Sequence, residues 1–523
     1  MHEIDTEEIN WSILVVIIIG TFMAILDGSI VNVALPKMMV IFSASTEDIQ
    51  WILTAYMLTL GVIMPLSGYL GDTFGYKRTY ITALALFIIG SVLCGMSLGV
   101  NTMIVARIIQ ALGGGIMQPL GMAIIYMSFP RSKIGMVLGF WGIAAMAAPA
   151  VGPTLGGYLV EFANWRLIFY INLPIGLINL FLAGMILQET PLVKGKQLDW
   201  LGILSCSIGL FCILLALSDG NKYGWSSPFI VSLFMIAAVT LSVFVWNELR
   251  HPEPILDLRM FNNFIFTISV IIGSLLAMGM FGAIFLIPLL LQSVLGQTAM
   301  KTGLIMFPAA LASGIMMPIS GKLFDKYGAR GIVIFGLALV TWTTYVMSGF
   351  NALTPFAAMT VWLTIRGAGM GFSMMPVTTV GMNTVPPQLI GRASALSNVI
   401  RQVSSSFGIA MLTTIMQHRQ VLHFSNLAQS VNLNSNEYFR LQTTLTETAS
   451  SLGLGHTTAQ GLGISVLAKE IAQFSMIQAI DDCFMVAALL CLIGLLLSLF
   501  LKEKKKITIP VRTEDAAVNS AAP

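Results

Sequence analysis

A chain of 523 residues that is 56% hydrophobic and only 10% charged, with a mean hydropathy of +0.85, cannot cover a folded domain with a water-facing surface. Soluble domains carry about 25% charged residues. The formal net charge of +3 is too small to predict nucleic-acid binding. The apolar runs are about 20 residues long and do not alternate strictly, so the composition predicts membrane-spanning helices rather than barrel strands.

The first apolar run is predicted to remain in the protein as a membrane span. Acidic residues (Glu3, Asp5, Glu7 and Glu8) stand where a cleavable signal needs positive charge, and no small-residue cleavage site follows the run. Taken in chain order, the apolar runs predict fourteen spans, near 12–34, 49–69, 79–99, 103–127, 135–160, 166–187, 199–218, 228–247, 264–291, 302–320, 331–350, 354–378, 392–416 and 480–501.

The basic residues are distributed unequally over the segments between these spans. With the N-terminus in the cytoplasm, the inner segments hold 17 of the 27 Lys and Arg residues and the outer segments hold 6. The positive-inside rule therefore predicts that both termini are cytoplasmic.

One outer segment, 417–479, is much longer than the others. Apolar residues recur in it at helical spacing: Leu467, Ile471, Phe474 and Ile477. This pattern favours an amphipathic helix at the outer membrane surface or packed on the bundle. A partly ordered loop that only joins two spans is the alternative.

The sequence contains an internal repeat. The segment MPLSGYLGDTFG at 64–75 recurs as MPISGKLFDKYG at 317–328, with seven of twelve positions identical at an offset of 253. An even number of predicted spans separates the copies, so both have the same orientation, as in transporters built from parallel halves of six spans. The predicted organisation is a six-helix bundle at 1–190, two inserted helices at 191–262, a second six-helix bundle at 263–505 that includes the outer loop 417–479, and a cytoplasmic tail at 506–523.

Several ordered motifs give the chain a resemblance to a known family. They are LDGSIVNVALP at 26–36, QWILTAY at 50–56, GYLGDTFGYKR at 68–78, ARIIQALGGG at 106–115, APAVGPTLGGYL at 148–159 and NWRLIFYINLPIG at 164–176. Together they resemble the major facilitator superfamily, in its fourteen-span drug/proton antiporter branch of the EmrB/QacA type. The resemblance implies an all-α integral membrane protein with the major facilitator fold, which exports hydrophobic small molecules in exchange for protons. Thr73 and Tyr76 depart from the loop motif, which often has basic residues there.

Asp27 and Arg107 are the predicted proton-coupling residues. A carboxylate inside hydrocarbon is costly, and Asp27 is the acidic residue that lies well inside a predicted span. By the helical rise it lies about 14 Å from Pro36, and Arg107 lies about 9 Å from Asn101, so the two depths allow contact. Burial favours the neutral acid and the guanidinium favours the carboxylate, so this group could exchange a proton. The alternative is a permanent ion pair that locks spans one and four.

The repeated loops are predicted to form a conformational latch between the halves. The resemblance assigns this role to Gly68, Asp72, Gly75, Arg78 and Asp325. Glycine permits the tight chain reversal, and each carboxylate can meet a helix N-terminus or a loop arginine. Helix capping alone is the other interpretation.

A proline and three glycines in the fifth span form the antiporter helix motif: Gly152, Pro153, Gly156 and Gly157. The proline removes a backbone donor and the glycines allow close helix packing. The resemblance adds that the resulting kink seals the protein against proton leak.

The substrate cavity is less well marked in the sequence. Family-like positions and unpaired intramembrane charge give the candidates Tyr56, Trp141, Tyr170, Asn172, Arg366 and Arg401. For the two arginines the sequence leaves two possibilities open, hydrogen bonds to backbone carbonyls or a cavity position that favours anionic or polar groups of a substrate.

Other classes of protein find little support in the sequence. It contains no HExxH, phosphate loop, nucleophile elbow or paired catalytic carboxylates in the spans, so neither an enzyme nor a cofactor or metal site is predicted. The expected partners are hydrophobic small molecules, protons and the lipid bilayer, with an envelope adaptor protein on the long outer loop as a further one. A lipid or metabolite exporter of the same fold, or flippase, and a non-transporting membrane sensor are the alternative functions.

Overall fold

The computed structural model describes residues 10–130, 133–190, 199–430, 440, 443–444 and 456–501. For a few residues inside helices, Pro153 among them, only the backbone is described. Within these ranges the chain is helical and contains no strand. This agrees with the all-α prediction, because a helix satisfies its own backbone groups in hydrocarbon. The acidic N-terminal residues and the predicted tail 506–523 lie outside the described residues.

The N-terminal half consists of one bundle of helices. In chain order these are α1 Trp11–Ile41, α2 Thr46–Ile63, α3 Leu66–Phe74, α4 Tyr76–Met96, α5 Val100–Ser128, α6 Ile134–Phe162, α7 Leu167–Tyr170 and α8 Asn172–Ile186. Two spans are bent at prolines, which cannot donate to the helix ladder. The bend is 55° between α2 and α3, at Pro65, and 41° within α6, between Pro149 and Thr154, where Pro153 lies.

Two further helices precede the C-terminal half. They are α9 Trp200–Tyr223 and α10 Pro228–Arg250. The C-terminal half then contains α11 Phe264–Pro288, which continues as a π-helical turn over Leu289–Val294, α12 Ala299–Tyr327, α13 Ala329–Met347, α14 Phe356–Met382, α15 Ile390–Ser430 and α16 His456–Ser498.

The two inserted helices lie at the side of the molecule. α9 packs on α2 of the first half and on α15 of the second, while α10 packs mainly on α9. On α10, Val239 and Trp246 are 64% and 52% exposed. An apolar surface of this kind fits contact with lipid, where the hydrocarbon takes the place of protein neighbours.

The number of membrane spans is close to the prediction. Eleven helices of the described part are long and apolar enough to cross a membrane, and thirteen spans result if each bent pair is one span. The predicted span 354–378 coincides with α14, a helix of 27 residues that is not among the thirteen. Its length of about 40 Å is sufficient, and its place as the fourteenth span stays a prediction.

The described part of the segment 417–479 is helical, so the helix favoured for Leu467 to Ile477 is found, within α16, and the alternative of a loop that only joins two spans is not. α15 continues to Ser430 and α16 begins at His456, so much of the segment is helical extension of the two flanking spans. Asp482 of α16 contacts Arg419 Nε at 2.5 Å and His423 Nε2 at 2.8 Å, so the extension of α15 is joined to the beginning of the predicted last span. Hydropathy detects only the part of a helix that lies in hydrocarbon, which explains why the prediction ended the span of α15 too early and began that of α16 too late.

α6 and α12 join the two halves by a close contact along their length. A Cβ atom on Gly139 would lie 2.8 Å from Met317 O, and one on Gly321 would lie 2.9 Å from Met136 N. Small residues allow such an approach of two backbones. The contact also places both copies of the repeated loop at the same end of the molecule, called the motif face below.

Candidate functional site

The structure brings Asp27 and Arg107 together inside the N-terminal bundle. Asp27 on α1 and Arg107 on α5 are 1% and 0% exposed, and Arg107 Nη1 forms an ion pair with Asp27 Oδ2. The predicted proximity of these two side chains is therefore found. A charged pair this deep needs further polar partners, because two ions lose their hydration on burial.

Three neutral side chains supply those partners. Gln110 Nε2 donates to Asp27 Oδ1 at 2.8 Å, and Asn172 Nδ2 donates to the same oxygen at 3.3 Å. Gln110 Oε1 accepts a hydrogen bond from Arg107 at 2.7 Å. Ser91 Oγ accepts from Gln110 at 3.1 Å and from Asn172 at 3.0 Å. The network thus draws on α1, α4, α5 and α8, so a relative movement of these helices changes the number of donors around the carboxylate.

An aromatic ring supports the arginine of this network. The Tyr56 ring centroid lies 3.8 Å from Arg107 Cζ, a cation–π geometry, and Tyr56 Oη donates to Ala24 O at 3.2 Å. Arg107 Nε also donates to Ile52 O at 3.4 Å. Arg107 Nη2 has no hydrogen-bond partner within the described part of the chain. The guanidinium therefore keeps one donor group that is available to a water molecule or another acceptor.

We expect Arg107→Gln to destabilise the protein because it leaves Asp27 as a buried charge without its cation. Removing one partner of a buried ion pair costs about 3–5 kcal/mol. The double variant Asp27→Asn/Arg107→Gln removes both charges and should recover most of that loss. Thermal unfolding can be followed with a thiol-reactive dye, since the five cysteines are buried and free in the folded state. Equal stability of the single and double variants would contradict this.

The glycines of the antiporter motif pack against α1 next to the network. A Cβ atom on Gly152 would collide with Ser29 Oγ and lie 3.2 Å from Ile30 N, and one on Gly156 would lie 3.1 Å from Ile30 O. Gly157 has open space at its Cβ position. The first two glycines therefore fix the contact of α6 with α1, while the third does not take part in it.

The first copy of the repeated loop contacts the C-terminal half. Asp72 Oδ2 lies 3.6 Å from Arg392 Nε, and Tyr76 Oη donates to Asp72 Oδ1 at 2.9 Å. A Cβ atom on Gly68 would lie 3.0 Å from Gly391 O, so the glycine permits a backbone contact between α3 and α15. The two halves are held together at the motif face in this conformation.

The second copy makes the reciprocal contact. Asp325 belongs to α12 and packs against the start of α6. Its Oδ1 would be 2.6 Å from a Cβ atom on Gly135. Each repeated aspartate thus lies at the beginning of a helix of the opposite half, where the helix dipole favours a negative charge. Arg78 differs, since it lies 3.4 Å from Glu189 of its own half and its side chain is 73% exposed.

Arg392→Gln is expected to shift the protein away from the conformation that is closed at the motif face. A partly exposed ion pair contributes about 1 kcal/mol, so the shift is about fivefold. Spin labels at the exposed positions Phe74, at the end of α3, and Gln388, in the turn just before α15, report the separation of the two halves there. Arg78→Gln is the matched control, because its partner Glu189 belongs to the same half. The idea fails if both variants give the same distance distribution as the unaltered chain.

Four of the six residues predicted for a substrate cavity have partners in the N-terminal half. Two of them, Tyr56 and Asn172, belong to the Asp27 network described above. Trp141 Nε1 donates to Thr21 Oγ1 at 3.0 Å and so connects α6 with α1. Tyr170 packs against α4, with its ring 2.6 Å from a Cβ position on Gly95.

The two intramembrane arginines have different surroundings. Arg366 donates from Nη2 to Gly279 O at 2.9 Å and from Nε to Thr344 Oγ1 at 3.1 Å, which corresponds to the backbone alternative of the prediction. Arg401 lines a cleft in the C-terminal half, which corresponds to the other alternative.

Sequence reasoning missed three residues of this arrangement and one buried acid elsewhere. Gln110 lies three residues after Arg107 on the same helix face, and this spacing could have identified it. Ser91 and Arg392 have no local signal of their own. Glu248 is fully buried near the end of α10 and accepts hydrogen bonds from the backbone at 3.3 and 3.2 Å, so Asp27 is not the only buried acid of the described part.

Comparisons with known proteins agree with the architecture and the motifs. The model of the Major Facilitator Superfamily matches residues 17–409. The uncharacterized MFS-type transporter YhcA of Bacillus subtilis is 38% identical over 95% of this chain and 93% of its own length. The multidrug export protein EmrB of Escherichia coli is 31% identical over 91% of this chain and 93% of its own length.

A solved structure supports the fold alone. The proton:xylose symporter XylE, bound to 6-bromo-6-deoxy-D-glucose, superposes with a TM-score of 0.57 at 14% identity, over 92% of this chain and 94% of that chain. The family match and the relatives extend over most of the sequence, including the motifs that build the buried network and the motif face. The chain therefore belongs to the Major Facilitator Superfamily.

Proposed function

We propose that the chain is a proton-coupled antiporter that exports hydrophobic small molecules by alternating access. The observation that carries the proposal is the buried Asp27, which lies in a polar network built from several helices of one bundle. An intramembrane carboxylate whose partners belong to several helices is suited to take up and release a proton when those helices move. The relative named as a multidrug export protein supports export as the direction of transport.

The exchange would use the network as follows. Deprotonated Asp27 pairs with Arg107 while substrate enters from the cytoplasm. The bundles then rock about the α6–α12 contact, and a proton that arrives from outside neutralises Asp27 and releases Arg107. Substrate leaves outward, and the return movement carries the proton inward. The membrane potential contributes about 2.3 kcal/mol per 100 mV for each charge moved.

The proposal also sets the orientation and the surroundings of the protein. The unequal distribution of Lys and Arg favours a cell membrane location with both termini and the motif face in the cytoplasm. The helical extensions of α15 and α16 would then project on the outer side, where an envelope adaptor protein could bind. Affinity purification from cross-linked cells, with and without deletion of 431–455, tests that partner.

The decisive experiment measures substrate-driven proton movement in proteoliposomes. Vesicles with an acidic lumen and an internal pH dye receive a panel of hydrophobic drugs in the medium. In transporter molecules whose cytoplasmic side faces the medium, movement of substrate into the lumen should accelerate the loss of protons from the lumen. Protein-free vesicles report passive drug effects. Substrate uptake that is independent of the pH gradient would overturn antiport.

A further inference from the structure

Arg401 lines a cleft between three helices of the C-terminal bundle. The cleft has about 20 Å³ of free space, room for about one water molecule, so it admits one small polar group rather than a whole drug. Its apolar lining includes Phe266, Val270 and Met382. α15, which carries Arg401, packs on α5 of the other half. The arginine therefore lies on a helix at the boundary between the two halves.

The surroundings of Arg401 differ from those of the other intramembrane arginines. Arg107 pairs with Asp27, and Arg366 donates to a backbone carbonyl and a threonine. In the described ranges, Arg401 has neither an ion pair nor a hydrogen bond from its side chain to a protein acceptor. A cation within the membrane is costly unless an acceptor or anion compensates it. Arg401 thus lacks the protein partners that compensate the charges of Arg107 and Arg366.

The hydroxyl groups of the cleft define what a ligand would meet. Ser269 Oγ donates to Phe266 O at 2.7 Å and Thr378 Oγ1 donates to Met374 O at 3.0 Å, so these two hydroxyls can only accept. Ser274 and Ser397 line the cleft with their hydroxyls uncommitted to any hydrogen bond of the described residues. They can donate together with the guanidinium, whose planar donor set suits oxygen anions.

We infer that this cleft binds the acidic oxygen group, a carboxylate or phenolate, of an otherwise apolar molecule. This inference rests on the proposed function. It makes lipophilic weak acids the preferred class of exported substrate. The guanidinium and the two uncommitted serines bind the oxygen anion, while the apolar lining contacts the adjoining hydrocarbon. The bound anion supplies the charge compensation that the protein does not.

The test compares two probes that differ only in the acidic group, 1-pyrenebutyrate and 1-pyrenebutanol. Binding to purified protein in nanodiscs is measured at neutral pH by energy transfer from tryptophan to pyrene. The unaltered chain should bind the acid at least tenfold more tightly than the alcohol. Arg401→Gln should weaken acid binding about ten- to hundredfold, since hydrogen bonds to charged groups are the strong ones, and leave alcohol binding within about twofold. Arg401→Lys should be intermediate.

Two controls separate this site from other effects. Arg330→Gln removes the same charge from an exposed position at the start of α13 and should change neither affinity. Asp27→Asn should lose proton coupling while it keeps the preference for the acid. Absence of an acid preference in the unaltered chain, or equal weakening of both probes in Arg401→Gln, overturns the inference. If the unaltered chain prefers the acid but shows no proton coupling, the antiport proposal is overturned and the site still stands.

Discussion

Asp27→Asn is expected to bind substrate with nearly unchanged affinity and to reduce substrate-driven proton movement to the level of protein-free vesicles. Asparagine has almost the same shape as aspartate, and its single side-chain oxygen can accept from Gln110 or from Arg107 but not from both. The variant therefore keeps part of the contact between α1 and α5, and it should lower stability as Arg107→Gln does because Arg107 loses its anion. It cannot take up a proton in exchange for substrate. The proteoliposome assay described above measures both quantities on one preparation, with a radiolabelled drug for binding.

The control for this variant is Glu161→Gln, which removes a carboxylate from an exposed position near the end of α6. It should retain coupled transport. Normal coupling in Asp27→Asn would mean that the Asp27–Arg107 pair only locks α1 to α5, the alternative that the sequence left open. A variant that neither binds nor transports would have to be compared with Asp27→Glu, which keeps the acid and should restore coupling in part if the carboxyl group itself carries the proton.

The sequence predicted those parts of the site that have a signal in their own segment of the chain. Asp27 stands out because a carboxylate in an apolar run is costly, and helical rise alone matched its depth to that of Arg107. The repeat likewise predicted equivalent loops, and the structure places Asp72 and Asp325 at the starts of helices from opposite halves.

Contacts between distant segments could not be read from the sequence in the same way. Nothing in the neighbourhood of Arg392 indicates that it meets Asp72, since the pair is separated by most of the chain and depends on how the halves dock. Arg366 and Arg401 both read as unpaired intramembrane cations, and only the positions of Gly279 and Thr344 distinguish them. The extension of α15 beyond residue 417 was missed because it is polar, whereas the apolar spacing from Leu467 to Ile477 did predict a helix in what is the extension of α16.

One helix connects the two features on which the proposed mechanism depends. α5 carries Arg107 in the buried network and, twelve residues further, Pro119, whose carbonyl accepts a hydrogen bond from Ser394 of α15 at 2.9 Å. The two points are about 18 Å apart by the helical rise. Since α5 is continuous between them, a change at Asp27 that shifts or rotates α5 is transmitted to the contact that holds the motif face closed.

Gly152→Val is expected to reduce coupled transport at least tenfold by forcing α6 away from α1. A valine side chain would meet Ser29 and the backbone nitrogen of Ile30, and backbone cannot move aside as a flexible side chain can. Overpacking of this kind costs about 1–3 kcal/mol. The displacement occurs two to three residues from Asp27, so it also disturbs the proton site.

Gly157→Val is the matched control for this change. It lies in the same helix and motif, gains the same side chain, and has open space at its Cβ position. Passive proton conductance without substrate distinguishes the two interpretations of the motif. A higher conductance in Gly152→Val alone supports a seal against proton leak, and lost transport without added conductance assigns these glycines to helix packing. Equal effects of both substitutions would show that the α1–α6 contact is not the cause.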